Sequence, residues 1–238
     1  MKKYLLIILL IITTNLFAQQ NGVVKYEFSY KIFTDTPKNK MIADARRMAD
    51  MSAEYAKNHQ YILKFTHLES IYHIEDSMPL DDVNIFEYKF SKFIFSTGIY
   101  YQNRETGKTL NEKSSMGKNY LVHDSLNSDW KVTTESKYIG KYKCFKAVSL
   151  CSSCSNNQEI TAWFTPEIPV PYGPAGYGGL PGLILEVSKF RYTLSLKKLK
   201  LSNKNISIEK PTKGTLITAD KLKELQWEKR MEMKSNRG

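Results

Sequence analysis

Ala162-Trp163-Phe164-Thr165-Pro166-Glu167-Ile168-Pro169, and shortly after it Gly173-Pro174-Ala175-Gly176-Tyr177-Gly178-Gly179-Leu180-Pro181-Gly182-Leu183-Ile184-Leu185-Glu186-Val187, is the stretch on which the fold turns. Pro166 and Pro169 stop the β-forming run that ends at Phe164 from continuing as a central strand, because proline lacks the N–H that a ladder needs. Five glycines and two prolines then fill residues 173–187. Glycine permits positive φ and close backbone approach, while Pro174 and Pro181 restrict φ. The whole reads as a strand, a Pro/Gly-rich crossing and a second strand. A phosphate-cradling loop would open a helix and be followed by Lys-Ser/Thr; this one opens the strand-like run 183–187, so that chemistry is excluded. Besides architecture, the stretch allows a lip at the edge of the sheet, with Trp163, Tyr172 and Tyr177 as contact groups.

Outward from this stretch, short strands dominate. Near the start, Val24, Tyr26, Phe28, Tyr30 and Ile32 alternate with mostly polar residues, the period-2 pattern of a half-buried strand that ends before Pro37. Residues 38–58 change period. Met41, Ala45, Met48, Ser52 and Tyr55 recur three or four apart, which predicts an amphipathic helix whose Met-rich face packs on the core. Further strands are predicted at 61–65, 70–74, 93–95, 99–101, 120–122, 130–135, 138–148 and 160–164. Residues 183–187 and 191–200 form a hairpin, and 206–208 is a candidate last strand. Thr218 is a good N-cap for a C-terminal helix over about 218–235. Regular short strands with polar turns argue for an antiparallel sheet rather than βαβ units. The expected fold is therefore one α+β domain, mostly β, over residues 19–238. Its strongly curved antiparallel sheet resembles a half-barrel, with one helix packed on it near the N-terminus and a peripheral C-terminal helix.

Residues 1–18 have the build of a secretory signal: Lys2-Lys3, an apolar core at 5–12, and Ala18 before the expected cut. The apolar core is shorter than the ~20 residues of a membrane span, and no later stretch reaches that length. The expected product is exported, with no transmembrane segment after signal removal. It would be periplasmic, associated with the outer membrane, or secreted. The chain carries 35 Lys and Arg against 24 Asp and Glu, a formal net charge of +11. Nucleic acid is not a reasonable partner for an exported chain. The lysine clusters at 141–146 and 197–200 are read first as solvated faces, and second as surfaces for an anionic lipid or an acidic protein.

Several of these residues resemble the GLPGLI family of secreted Bacteroidetes proteins. They are Gly179, Leu180, Pro181, Gly182, Leu183 and Ile184, which spell the motif; Trp130-Lys131; Ile139-Gly140-Lys141-Tyr142-Lys143-Cys144; residues 162–169; Gly173-Pro174; and Glu186-Val187. The resemblance covers roughly 23–199 and is more specific in the second half. It implies an exported protein of unknown function and brings no activity or catalytic residue with it. The tip Cys151-Ser152-Ser153-Cys154 departs from that pattern.

No catalytic set emerges. An exported CxxC in a Ser/Asn-rich hairpin tip reads first as a disulfide between Cys151 and Cys154, with Cys144 buried or free. A bridge from Cys144 to one of the pair is the second reading, and metal or redox chemistry the third. His59, His67, His73 and His123 have no ligand-like spacing to the cysteines, and His73-Ile74-Glu75 lacks a third ligand. No nucleophile elbow, HExxH or kinase signature is present. No cofactor or metal is expected. The leading expectation is a non-catalytic envelope protein that binds a lipid-like ligand or an envelope protein in the sheet's concavity or at the Gly/Pro lip. An interaction or scaffold subunit at the outer membrane is the alternative, and an enzyme with a site assembled from scattered residues is the third.

Overall fold

The computed structural model describes residues 21–75, 88, 91, 98–125, 129–150 and 158–235. The strands are β1 (Asn21–Tyr30), β2 (Gln60–Phe65), β3 (Glu69–Glu75), β4 (Ile99–Asn103), β5 (Lys108–Ser115), β6 (Lys118–Ser125), β7 (Lys131–Ile139), β8 (Tyr142–Leu150), β9 (Glu159–Thr165), β10 (Leu183–Lys189), β11 (Tyr192–Ser202) and β12 (Thr215–Thr218). They form one sheet in the order β12-β6-β5-β4-β3-β2-β1-β11-β10-β9-β8-β7. β1 sits at its middle, with consecutive antiparallel neighbours running out on both sides. The last pair breaks that rule, because β12 lies parallel to β6. It reaches its place through the connection 203–214 rather than a hairpin, so its direction is not forced to alternate. Among the described residues β12 and β7 are the edge strands, and the sheet is open.

Inner and outer faces follow from register. Val24, Tyr26 and Phe28 of β1 stand beside Leu63 and Tyr61 of β2 and Leu199, Leu196 and Leu194 of β11 on the inner face. The same face continues through Tyr72, Tyr100 and Gln102 on one wing and Val187, Ala162, Phe164, Ala147 and Phe145 on the other. The main core lies here.

What covers that face is the Pro/Gly crossing, residues 166–182, a strap between β9 and β10. Ile168, Val170, Tyr172 and Leu180 are all buried. Residues Pro174–Gly176 form a single 3-10 turn lying against β2, β3 and β4. The Gln102 amide donates to Gly176 O at 2.7 Å, and the Trp130 indole N–H donates to Gly178 O at 2.8 Å. Gln102 is on β4, and Trp130 immediately precedes β7. Those strands are eight places apart in the sheet, roughly 40 Å if it were flat at ~4.8 Å per strand. Two carbonyls two residues apart meet both, so the sheet is curled tightly around its strap. This is the strongly curved half-barrel that the strand pattern predicts.

The two helices are α1 (Lys40–Ala56), which Asn39 caps by accepting from Ile42 N–H, and α2 (Ala219–Ser235). Thr218 caps α2 as predicted, accepting from Lys221 N–H at 3.1 Å. Around Leu222, α2 packs on Tyr120 and Val122 of β6 in a small separate cluster. The Met-rich face of α1 is a correction: Met41 is 76 % exposed and Met48 half exposed, while Ser52, Ala53 and Ala56 are buried. Only the C-terminal turns of α1 reach the sheet, and small side chains let its backbone close in until Ala56 O accepts from the Tyr61 hydroxyl at 2.8 Å. Three strand expectations also change. Residues 138–148 are not one strand, because Gly140, at φ 58°, turns the chain from β7 into β8. Residues 206–208 are irregular, and β5 and β12 were not expected. The expected strand at 93–95 lies outside the described residues.

Candidate functional site

The stretch that organises the sequence does not make a lip. Its carbonyls and amides are consumed in holding it down: Gly179 N–H donates to Pro171 O, Leu183 N–H to Ile168 O, and Ile184 N–H to Tyr172 O at 2.9 Å. The buried Tyr26 hydroxyl donates to Ile184 O at 2.7 Å, and Arg104 reaches Pro169 O. A Cβ on Gly176 would lie against the Tyr100 ring at a backbone φ of +81°, and one on Gly182 would lie against the Thr165 carbonyl. Glycine is therefore set by close approach and positive φ.

The three aromatics expected as contact groups are dispersed. Tyr172 has no exposed surface, and burial pushes its hydroxyl pKa up. Tyr177 is half-buried, sits edge-on to Trp130 at 6.4 Å, and donates its hydroxyl to Tyr192. Trp163 lies on the outer face beside Glu186 in register. Lys137 covers its ring at 4.4 Å while pairing with both Glu186 carboxylate oxygens at 2.8 and 2.9 Å. Trp163 and the other two thus belong to opposite faces. Below the strap the inner face is a tyrosine cluster: Tyr26, Tyr61 and Tyr72 are buried, and burial raises the pKa of each. Ile168, Val170, Tyr172 and Leu180 of the strap pack with these tyrosines in one core cluster on the concave side of the sheet.

Cys144 is a buried free thiol whose pKa burial pushes up to about 11, so it is neither an exposed nucleophile nor a bridged half-cystine. Cys151 and Cys154 lie outside the described residues. Among the described residues no group of three or more His, Cys, Asp and Glu is placed to hold a metal ion. No described helix is long and apolar enough to cross a membrane.

An open site among the described residues lies on the outer face of the β4–β5–β6–β12 wing. A groove of about 1060 Å³ runs over it. Register places Tyr101, Leu110, His123 and Thr218 in one row across the four strands, with Leu121 and Leu216 in the next. Tyr101 and Leu110 are buried and floor the groove, and Leu216 is 63 % exposed at its side. Burial also raises the Tyr101 pKa. The second long connection supplies the wall. Lys210, Pro211 and Thr212 flank the groove, Pro211 is buried, and Lys213 N–H donates to a Glu112 carboxylate oxygen at 3.3 Å. The first turn of α2 closes one end with Ala219 and Asp220. An apolar floor with a rim of Asn103, Lys108, His123 and Asp124 suits a ligand with an apolar body and polar groups at its margin. His123, Asp124 and Asp220 all line the groove, but among the described residues no hydrogen bond joins any two of them.

The sequence reading missed this site. β5 is polar enough (Lys-Thr-Leu-Asn-Glu-Lys-Ser-Ser) to pass for a loop. Thr215-Leu216-Ile217-Thr218 is a β-forming run, and it was the available signal for β12.

The sequence matches no curated protein. Residues 151–186 match a family described as a protein of unknown function (Porph_ging). The matched segment contains β9, the whole strap and the beginning of β10, so the family signal coincides with the core-covering element and not with the groove. Two solved structures of PNGF-II, in the C2 and P21 space groups, share the fold. Each superposes on 87 % of this chain with a TM-score of 0.54, at 16 % and 17 % identity. The chain spans about a third (33 %) of the length of the PNGF-II chain. At that identity the likeness shows the fold alone.

Proposed function

We propose that this chain is a non-catalytic binding protein of the GLPGLI type, exported to the cell envelope, whose ligand lies in the outer groove between β4–β6, β12 and the 210–212 wall. The observation that carries this is the groove itself: an apolar floor left open beside a polar rim, while the strap's own apolar residues pack into the core on the opposite face. Export rests on the signal-like segment at 1–18, and the family assignment on the motif at 179–184 together with the match over 151–186. In this reading Tyr172 anchors the strap, and Trp163 and Tyr177, which keep part of their surface, are subsidiary contacts.

Leu216 is the residue to test, because it borders the groove, is largely exposed and contributes little to the core. Native mass spectrometry of the full chain purified from its own envelope should show an added ligand mass. Leu216→Glu should lose that mass while melting within about 2 °C of the parent, as surface changes usually do. Identical spectra for parent and variant would sink the reading.

A further inference from the structure

A second feature of the outer face lies three strands from the groove, at the middle of the sheet. Register puts Lys198 of β11 directly opposite Lys25 of β1. One row on, Lys200 of β11 and Lys64 of β2 flank Val23 of β1 from its two sides. Successive same-face residues on a strand are about 7 Å apart and adjacent strands about 5 Å, so the four lysines root in a patch of about 7 by 10 Å, with Lys25 and Lys198 on adjacent strands and Lys64 and Lys200 two strands apart. The register of β1 and β11 shifts between Lys25 and Tyr26, and the extra residue on β11 is Lys197; Lys197, Lys198 and Lys200 are exposed, and Lys25 and Lys64 half-buried.

Like charges directly opposite one another destabilise a sheet. Lys25 donates to the Gln60 side-chain oxygen at 3.0 Å; among the described residues none of the five lysines makes an ion pair. Carboxylates are near enough to have been recruited: Glu27 follows Lys25 on the same face, and Glu69 and Glu75 are on β3. Elsewhere on this face the chain does pair its charges, as Lys137 with Glu186 and Lys146 with Glu135 show. The patch has an apolar floor as well. Ile62, opposite Lys25, points to the outer face yet is only 4 % exposed, as expected where lysine stems lie along it.

We infer that this patch docks the protein on an anionic lipid surface, with Lys25, Lys64, Lys198 and Lys200 each meeting a separate phosphate headgroup. The shape selects a surface over a small ligand. The sheet curls around its strap, so its outer face is convex, and β11, β1 and β2 are its central strands. The middle of a convex face is what a flat surface touches first. Lys64 and Lys200 root about 10 Å apart and about 7 Å along the strands from the Lys25–Lys198 pair, and long stems let that closer pair splay to separate anions. The inference is independent of the groove.

Sedimentation of the full chain with phosphatidylcholine vesicles, with and without phosphatidylglycerol, tests it. The protein should pellet only with the phosphatidylglycerol vesicles, and less as salt rises. Each lysine near an anionic surface contributes about a fivefold factor, so K25Q/K64Q/K198Q/K200Q should weaken binding by 100-fold or more. A charge-matched control, K221Q/K223Q/K229Q/K234Q on α2, should change it by about twofold at most, because those side chains lie off the patch. The quadruple patch variant should melt no lower than the parent at low salt, since it removes like-charge repulsion. If it fails to fold, K25Q/K198Q alone carries the test with an expected loss of about 25-fold. Equal losses in the patch and control variants would reduce the effect to net charge and overturn the inference. So would binding of soluble tripolyphosphate without vesicle binding, which would make the patch a site for free phosphates.

Discussion

The connections at 166–182 and 203–214 both cross the sheet between strands, yet they finish in opposite states. The first lies on the inner face, buries Ile168, Val170, Tyr172 and Leu180, and is hydrogen-bonded from Gln102 of β4 and from Trp130 just before β7. The second lies on the outer face and is anchored by buried Pro211, by the Glu112 carboxylate at Lys213 N–H, and by Asn21 donating to Lys204 O. The difference is compositional. Glycines in the first strap let backbone reach backbone, and its apolar residues enter the curl. The second carries Asn203-Lys204-Asn205 and Glu209-Lys210, whose groups stay in water, so it stands off the sheet and leaves a groove beneath. A strap that packs becomes core, whereas one that stands off becomes a wall.

The comparison can be broken with base, then sharpened by paired substitutions. The tyrosines under the first strap supply the largest effect. Burial raises the folded-state pKa of Tyr26, Tyr61 and Tyr72, so their stabilisation is fully present below the unfolded pKa near 10 and is lost as pH rises above it. Each tyrosine that stays protonated in the folded state should cost up to about 1.4 kcal/mol per pH unit, or roughly 4 kcal/mol for the three at pH 11. Urea unfolding at pH 8, 10 and 11 measures this, and a flat profile would mean that these hydroxyls ionise freely in the fold.

Next comes Leu183→Ala, at the point where the first strap enters β10. Leu183 is fully buried, and the loss should be about 3 kcal/mol from transfer and cavity terms. Smallest is Leu216→Ala beside the second strap, expected to change stability by no more than about 0.5 kcal/mol because the residue is already in water. Comparable denaturation midpoints for the two variants would abolish the distinction between packed strap and wall.

Much of the fold was legible in the residues. Alternation of Val24, Tyr26 and Phe28 located the central strand and its inner face, because a half-buried strand must repeat every second residue. Thr218 marked the start of the C-terminal helix by capping. The same local reasoning failed for the Met-rich face of α1. Its period of 3.6 was correct, but nothing within the helix shows that the residues it buries are Ser52, Ala53 and Ala56. It failed again for β5, whose polar sequence forms a strand because β4 and β6 each offer it a ladder.

The candidate sites divide in the same way. The Pro/Gly stretch announced itself by composition, and its sequence determined that a crossing with tight backbone approach would be made there. Which face it would cover, and therefore that Tyr172 is buried and Trp163 stands on the opposite side, was decided by the curl of the sheet. The groove joins β4, β5, β6 and β12, and the lysine patch joins β11, β1 and β2. Lys25 and Lys198 are far apart in the chain and adjacent only through register, so no local signal brings them together. The sequence by itself determined a β-rich chain with two capped helices and a glycine-dependent crossing, since those follow from periodicity, capping and backbone sterics. Tertiary structure alone decided which cavity is filled and which stays open, because long-range strand pairing sets both the curl and the rows of side chains that share a face.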